Sequence, residues 1–181
     1  MQRIPPVQLH DLNGKSKVLL ENLQQTMGMT PNFYRTLANS PAALKAYLDF
    51  NQALGEGLLS ERLRHRIALS VSESNGCEYC VAAYSALGRT VGMAEEDIVD
   101  SRRGCSPSRK EEAAMQFALV MLKSHGAITD EDLGRLRRVD YSDEEIIEII
   151  AVVALTLFTN YINLAAGTRL DFPSVPTLNM P

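Results

Sequence analysis

The chain of 181 residues contains no tryptophan, only three cysteines and no excess of basic residues. Three cysteines are too few for a disulfide framework, and the N-terminal residues lack the uninterrupted apolar stretch of a signal peptide. We therefore expect a cytoplasmic protein. Lysine and arginine together number 18 against 22 acidic residues, which gives a formal net charge of −4. Because nucleic-acid-binding domains usually carry a basic surface, we expect no nucleic acid partner.

The alternation typical of β-strands is also missing, because no run of five or more residues convincingly alternates apolar and polar side chains. Glycine and proline fall between stretches of helical periodicity rather than within them. The hydrophobic fraction of 45% and the charged fraction of 22% are ordinary for a soluble globular domain. We predict an all-α fold in a single domain over residues 1–181. An N-terminal arm is expected to about residue 17, and an extended C-terminal tail over about residues 171–181.

Helix starts are marked by hydroxyl side chains, which can accept a hydrogen bond from the first turn. The first helix is expected over about residues 17–27, where the helical pattern stops at Gly28. A glutamate three residues after Ser108 and after Ser142 predicts two capping boxes, and Thr129 begins a weaker version. Further helix starts are predicted at hydroxyl residues that precede proline or a helical pattern: Thr30, Ser40 and Ser60.

The segment from Ile146 to Ala166 is apolar enough and long enough to resemble a membrane span. It also contains Glu148, Asn160 and Asn163, which are costly to place in lipid. We therefore predict a buried helix in the core or at a subunit interface, and no membrane partner. Because its apolar residues run around nearly the whole circumference of the helix, we predict a homo-oligomer.

Two cysteines occur at helical spacing directly after a predicted helix end. Asn75 and Gly76 end one helix, so that Cys77 lies at the start of the next, where free N–H groups and the helix dipole favour a thiolate. The three-residue spacing places Cys80 on the same face, and Tyr84 continues that face. This arrangement permits a disulfide across one helical turn. The Cys-x-x-Cys pattern alone also fits half a zinc site or two small buried residues.

Further stretches extend the pattern beyond the cysteine pair: residues 67–80, residues 113–119, and residues 158–163 leading to Leu-Asp-Phe-Pro at 170–173. With them, the sequence resembles the AhpD-like, or carboxymuconolactone decarboxylase, superfamily, in its branch of peroxidase-related proteins. The resemblance covers most of the chain from about residue 40 to residue 173. It implies an AhpD-like helical bundle that assembles as a homo-trimer or homo-hexamer and uses no bound cofactor.

The resemblance also implies that the cysteine pair reduces a hydroperoxide substrate, with Cys80 attacking and Cys77 resolving. An external dithiol, such as a lipoyl group or a thioredoxin-like protein, then restores the reduced pair. The helix dipole alone favours Cys77 as the more acidic thiol, whereas the resemblance assigns the attack to Cys80. We follow the resemblance because the dipole is worth only about 0.3–1 kcal/mol, which burial or neighbouring groups can outweigh.

Two positions of the family's proton relay differ in this chain. The family has a glutamate twelve residues before the first cysteine and a histidine four residues after the second, and these positions are His65 and Tyr84 here. Tyrosine, with an ordinary pKa of about 10, is a poor base near neutral pH, whereas imidazole can accept a thiol proton. We hypothesise a relay from His65 to Cys80, directly or through water, in which the Tyr84 hydroxyl donates to the thiolate or to the peroxide.

The same residues permit other interpretations. His65 can be a solvated residue on a basic helix face, and Tyr84 can be a core aromatic. The alternative function is a non-enzymatic redox sensor or a structural oligomer that retains the cysteine pair without turnover. The cysteine pair disfavours the decarboxylase reaction, and we expect no metal because His65 is the only obvious further ligand. Glu73 is a weaker candidate near the site, and Cys105 has no cysteine at motif spacing.

Overall fold

The computed structural model describes residues 2–9 and 14–178, so that residues 1 and 10–13 of the predicted arm and residues 179–181 of the predicted tail lie outside it. Within the described residues the chain forms nine α-helices and no strand, and the prediction of an all-α fold is confirmed. The helices are α1 (Gly14–Met27), α2 (Asn32–Leu37), α3 (Pro41–Gly55), α4 (Glu61–Ser74), α5 (Glu78–Thr90), α6 (Glu95–Arg102), α7 (Arg109–Ser124), α8 (Asp130–Arg137) and α9 (Asp143–Ala166).

Helix α4 is the central element, since it packs against α5, α6, α7 and α9. Its buried residues form an unbroken series in which small side chains alternate with large ones: Ile67, Ala68, Leu69, Ser70, Val71 and Ser72. The small residues let neighbouring helices approach closely, while the large ones fill the space between them. A short turn connects α4 to α5. Because α4 is packed on several sides by other helices, its junction with α5 is also held in place.

Arg66 of α4 is only 1% exposed and joins three helices through its charge. Its guanidinium lies 2.6 Å from a carboxylate oxygen of Asp97 in α6 and 3.2 Å from one of Glu111 in α7. It also donates to the Ser101 hydroxyl at 2.9 Å. Arg66 is therefore a buried basic residue whose charge is paired, rather than part of a solvated surface of α4.

Most of the predicted helix boundaries are confirmed. The side chains of Ser40, Ser60, Thr129 and Ser142 each accept a hydrogen bond from the backbone N–H three residues later, and the last two complete capping boxes. The first helix ends where predicted, with Gly28 at a φ of +71°. Glycine adopts this left-handed conformation without a steric penalty.

Two of the predicted helix starts differ from the structure. Pro31, not Thr30, occupies the N-cap position of α2, and the Thr30 hydroxyl donates instead to a glutamine of α1. Ser108 does cap α7, but the predicted capping box is incomplete because the Glu111 carboxylate accepts a hydrogen bond from Ser106. In both cases, the side-chain group that was expected to form the cap makes its hydrogen bond with a different side chain.

Helix α9 is long and apolar enough to cross a membrane, by length and composition alone, and half of its most apolar window is buried inside the molecule. It packs against α2, α3, α4, α5 and α7, as expected for a core helix. On its solvent side, large apolar side chains remain exposed: Ile147, Phe158, Tyr161 and Leu164. A subunit interface at this exposed stripe stays a prediction.

The described residues near both ends of the chain contact the helices. Helix α1 starts before residue 17, so the end of the predicted N-terminal arm is helical. The tail, residues 168–178, contains no helix. Its Phe172 ring meets the Tyr79 ring edge-on, with centroids 5.7 Å apart, and its Pro176 carbonyl accepts from Arg102 at 2.8 Å. The tail therefore covers the beginning of α5.

Candidate functional site

The two cysteines meet at the junction of α4 and α5. Cys77 occupies the N-cap position of α5, and Cys80 follows in its first turn. The structure joins them as a disulfide with Cα atoms 5.3 Å apart, within the usual range for such a bond. The prediction that their spacing brings the two side chains together is confirmed. Both residues are almost fully buried, at 1% and 2% exposure.

The turn before the disulfide is held from two sides. Gly76 has a φ of +64°, a left-handed conformation that suits glycine. The backbone N–H of Cys77 donates to the Ser72 carbonyl at 3.0 Å. From α9, the Asn160 amide donates to the Ser72 hydroxyl at 3.1 Å and accepts from Asn75 at 2.8 Å. The position of Cys77 is therefore fixed by α9 as well as by the local backbone.

Asn163 of α9 contacts the disulfide directly. Its Nδ2 atom lies 3.2 Å from Cys80 Sγ, and the residue is 5% exposed. None of the described residues forms a hydrogen bond with its buried Oδ1 atom. In the sequence, Asn163 is notable as a residue that disfavours a membrane span and as the end of the stretch 158–163 that supports the family resemblance. Its spacing of three residues from Asn160, in an otherwise apolar helix, is the signal that points to a buried polar contact.

A small, largely apolar cavity of about 50 Å³ opens beside Cys80. Tyr84 and Asn163 line it, together with aromatic rings from neighbouring helices and Phe172 of the tail. This volume is well below the roughly 300–1,000 Å³ of ordinary ligand pockets, so the cavity suits a small chemical group. Of the two cysteines, Cys80 lines this cavity and Cys77 does not. A small molecule that enters it therefore meets Cys80.

A larger cavity of about 490 Å³ lies next to the small one, and its volume is typical of ligand pockets. Residues that line both cavities form the wall between them: Tyr34, Tyr47, Tyr84 and Leu87. His65 lines the larger cavity, whose polar lining carries charges of both signs through Glu56, Glu61 and Arg64. Tyr84 thus lines both the cavity that contains His65 and the cavity that contains Cys80.

His65 is half-buried on α4, and its ring centroid lies 6.0 Å from that of Tyr84. Burial lowers the pKa of His65 below its ordinary value of 6.5, while the negative charge of Glu61 opposes this shift and the positive charge of Arg64 adds to it. The imidazole is therefore neutral near pH 7 and able to accept a proton. His65 and Cys80 line different cavities, so the geometry gives no support to a direct contact between them.

Tyr84 shares one cavity with Cys80 and the other with His65. Burial raises the pKa of its hydroxyl to about 12, and interactions with the Thr159 and Thr156 side chains counter part of that rise. The hydroxyl is therefore protonated at physiological pH. It can donate a hydrogen bond there, and it cannot act alone as a general base.

The remaining candidates from the sequence have other contacts. Glu73 accepts a hydrogen bond from Arg102 at 2.8 Å and so ties α4 to α6. Cys105 is exposed in the loop between α6 and α7. In the part of the chain that the structure describes, no three His, Cys, Asp or Glu side chains are grouped so that they could hold a metal ion.

The family model described as "CMD: Carboxymuconolactone decarboxylase family" matches residues 41–124, which include both cysteines of the disulfide. Among known proteins, the uncharacterized protein YdfG of Bacillus subtilis (strain 168) is 23% identical to this chain over 135 residues. That match covers 72% of this chain and 90% of YdfG.

Solved structures share nearly the whole fold. The alkylhydroperoxidase AhpD core of an uncharacterized peroxidase-related protein from Ralstonia eutropha JMP134 has a TM-score of 0.84 and 26% sequence identity, covering 94% of this chain and 92% of that one. The apo structure of the debrominase Bmp8 has a TM-score of 0.79 and 24% identity, covering 93% and 91%. At that identity the likeness to Bmp8 shows the fold alone. The predicted AhpD-like fold is confirmed.

Proposed function

We propose that this chain, a member of the AhpD-like and carboxymuconolactone decarboxylase superfamily, is a thiol peroxidase. It reduces hydroperoxides with electrons from an external dithiol. The observation that carries this proposal is the disulfide at the start of α5, of which only Cys80 lines a cavity. A catalytic cysteine pair needs one sulfur that substrate can reach and a second sulfur within bonding distance. Cys80 and Cys77 meet these two requirements.

Oxidation of the pair takes two steps. The Cys80 thiolate attacks the terminal oxygen of the hydroperoxide, so that an S–O bond forms, the O–O bond breaks, and the alkoxide leaves and takes up a proton to become an alcohol. Cys80 is then a sulfenic acid. The Cys77 sulfur next attacks the Cys80 sulfur, the disulfide forms, and the hydroxyl group leaves as water with the thiol proton of Cys77.

Access to substrate supports Cys80, rather than Cys77, as the attacking residue. Cys80 lines the small cavity and accepts a hydrogen bond from Asn163, whereas Cys77 lies behind it at the N-cap of α5. The dipole of α5 favours a thiolate at Cys77 by only about 0.3–1 kcal/mol. A sulfur that the peroxide cannot reach gains nothing from this difference, and so Cys77 takes the resolving role.

In this proposal the proton of the Cys80 thiol passes to His65 by way of Tyr84. Tyr84 accepts the thiol proton on its hydroxyl oxygen and gives its own proton to His65, directly or through water in the larger cavity. The imidazole is available because burial keeps its pKa below 6.5. The phenol starts and ends the transfer neutral, in keeping with its raised pKa of about 12.

The second half of the cycle returns two electrons to the disulfide from an external dithiol of the lipoyl or thioredoxin-like class. One donor sulfur attacks the pair to form a mixed disulfide, and the second donor sulfur releases it, so that the donor ends as a disulfide. Both cysteines are at most 2% exposed, so the donor has to displace part of what covers them. The tail with Phe172 contributes to that cover and contains no helix.

A steady-state assay with several hydroperoxides and several dithiol donors tests this function. We expect hydroperoxide-dependent oxidation of the dithiol by the wild-type chain, and none by Cys80→Ser. Cys77→Ser should react once, accumulate the sulfenic acid at Cys80, and then stop because no resolving thiol remains. Cys105→Ser is the matched control, since this exposed cysteine lies outside the site, and it should turn over like the wild type.

Two results would contradict the proposal. Full activity of Cys80→Ser excludes this sulfur as the nucleophile. Absence of turnover with every peroxide and dithiol pair, although the disulfide forms and is reduced, favours a redox sensor instead. That second candidate is supported by the burial of both cysteines in the hydrophobic core and by His65 and Tyr84 at the relay positions. A thiol pKa near the free value of about 8.5 is a further mark of a pair without catalytic activation.

A further inference from the structure

The side chain of Asn163 contacts Cys80, the residue proposed to attack the peroxide. No step of the cycle described above uses Asn163. Its Nδ2 atom donates to Cys80 Sγ at 3.2 Å from the last turn of α9. The end of that helix is closed by Gly167, whose left-handed conformation allows the N–H of Thr168 to donate to the Asn163 carbonyl at 3.1 Å. The backbone of Asn163 is therefore fixed, and its side chain is 5% exposed.

The side-chain N–H group of Asn163 interacts more strongly with a thiolate than with a thiol or a disulfide, since hydrogen bonds to a charged group are about twice as strong as neutral ones. The described residues that line the Cys80 cavity include no lysine, arginine or histidine. Its titratable residues other than Cys80 are tyrosines whose pKa values burial raises, so that each is neutral: Tyr34, Tyr47, Tyr79 and Tyr84. From outside the cavity, His65 approaches Tyr84, and Asp171 interacts with Tyr79. Among the described residues, the Asn163 amide is the group seen to donate a hydrogen bond to Cys80 Sγ.

The Oδ1 atom of Asn163 is a second, unused group. It is buried, and none of the described residues donates to it. A buried carbonyl oxygen without a partner is costly, and a ligand that supplies the missing donor removes that cost. A hydroperoxide carries one O–H donor on its terminal oxygen. Asn163 and Cys80 line the same cavity of about 50 Å³, which suits a group of that size.

We infer that Asn163 is a catalytic residue of the proposed peroxidase, whose Nδ2 group stabilises the Cys80 thiolate while its Oδ1 atom accepts the O–H of the hydroperoxide. This inference rests on the proposed function and adds the contact that positions the substrate. With both hydrogen bonds in place, one amide holds the terminal peroxide oxygen next to the sulfur that attacks it. The bonds that form and break are those of the peroxidase cycle, and the amide itself is unchanged.

The donor role is tested by the pKa of the Cys80 thiol, read from thiolate absorbance in reduced protein that carries Cys77→Ser and Cys105→Ser. Asn163→Leu removes both polar groups and keeps the approximate shape of the side chain. We expect it to raise the thiol pKa by about one to two units, as the loss of a hydrogen bond to a charged group does. Gln116→Leu removes an amide of α7 that donates to the Gly104 carbonyl, and as the matched control it should leave this pKa unchanged because it lies outside the site.

The acceptor role is tested with tert-butyl hydroperoxide at pH values above the Cys80 pKa of each protein, where every molecule carries a thiolate. A thiolate of higher pKa is intrinsically more nucleophilic, so each rate is divided by the rate of the same protein with iodoacetamide at the same pH. By this ratio we expect Asn163→Leu to react about two- to tenfold more slowly than the wild type, the effect of one lost neutral hydrogen bond. An equal ratio overturns the acceptor role, and an unchanged thiol pKa overturns the donor role. If the wild type does not reduce the hydroperoxide, the acceptor role fails together with the proposed function, while a raised pKa still supports the donor role.

Asn163→Val gives the same test if the leucine variant does not fold. Valine is smaller than leucine and also lacks an N–H donor and a carbonyl acceptor. The thiol pKa of Cys80 should therefore rise as it does in Asn163→Leu. A thiol pKa equal to or below that of the wild type in Asn163→Val overturns the inference.

Discussion

Replacing His65 by alanine tests whether this imidazole is the base that receives the Cys80 proton. General bases contribute about 10²–10⁴-fold to reaction rates. His65 lines the larger cavity, and its ring centroid lies 6.0 Å from that of Tyr84, so its effect on the sulfur passes through the tyrosine. We therefore expect the lower end of the range, a reaction of Cys80 with hydroperoxide that is about 10²-fold slower near pH 7.

The pH dependence of the rate identifies the group responsible. Burial lowers the pKa of His65 below 6.5, and only the neutral imidazole can accept a proton. The wild-type rate should accordingly lose the contribution of this base at pH values below 6.5, and His65→Ala should show no such loss. Rapid quenching followed by thiol alkylation measures the rate between about pH 5 and about pH 9.

The same pKa shift predicts a change in stability, which serves as an independent check. The folded pKa of His65 lies below the unfolded value, so the unfolded state binds a proton more readily as the solution becomes acidic. The free energy of unfolding of the wild type should therefore decrease as the pH falls below 6.5. Urea denaturation at several pH values should show that His65→Ala lacks this contribution to the decrease.

Two further variants decide whether the relay passes through Tyr84. Tyr84→Phe should slow the reaction as much as His65→Ala, and the double variant should be no slower than either, because both changes interrupt one path. His125→Asn is the matched control: it removes an exposed imidazole at a left-handed position that asparagine tolerates. Unchanged rates and an unchanged pH profile in His65→Ala would refute the relay.

Three other results are expected. Asp97→Ala leaves Arg66 buried with only the Glu111 carboxylate to pair its charge. The free energy of unfolding should fall by about 3 kcal/mol, the lower end of the range for a broken buried ion pair. A much smaller loss in urea denaturation contradicts this account. Phe172→Ala should loosen the tail and accelerate reduction of the disulfide by a thioredoxin-like protein more than reduction by a small phosphine, whereas equal acceleration argues against the tail as a barrier. Tyr161→Glu places a charge in the exposed apolar stripe of α9. It should convert the predicted homo-oligomer to monomers, as measured by sedimentation. A wild-type chain that is already monomeric contradicts the prediction.

Local features of this fold are predictable from the sequence because they depend on residues close together in the chain. Ser40 and Ser142 cap their helices as expected, since the backbone N–H group that each accepts from is only three residues away. The turn at Gly76 and the meeting of Cys77 with Cys80 follow from the same short-range geometry. These features are enough to identify an all-helical fold and a candidate redox pair.

Contacts between distant parts of the chain are not encoded in such patterns. Asn163 lies 83 residues from Cys80 in the sequence, and only the packing of α9 against α5 brings them together. The position of Tyr84 between two cavities likewise depends on helices from both ends of the chain. In the sequence, Arg66 lies in a basic stretch. Only the fold shows that carboxylates of α6 and α7 pair its charge. Sequence spacing identifies the reactive sulfurs, but tertiary packing determines which groups surround them.

The site stabilises charge and moves protons with different residues. In the proposed cycle a thiolate at Cys80 interacts with the Asn163 amide, a hydrogen bond worth about 1.5–3 kcal/mol when the acceptor is charged, and with the N-terminus of α5, worth about 0.3–1 kcal/mol. Burial opposes both because Cys80 is 2% exposed. These dipoles are fixed by α9 and α5 and do not depend on the protonation of His65. His65 therefore governs how fast the thiol loses its proton, whereas Asn163 governs how stable the resulting thiolate is.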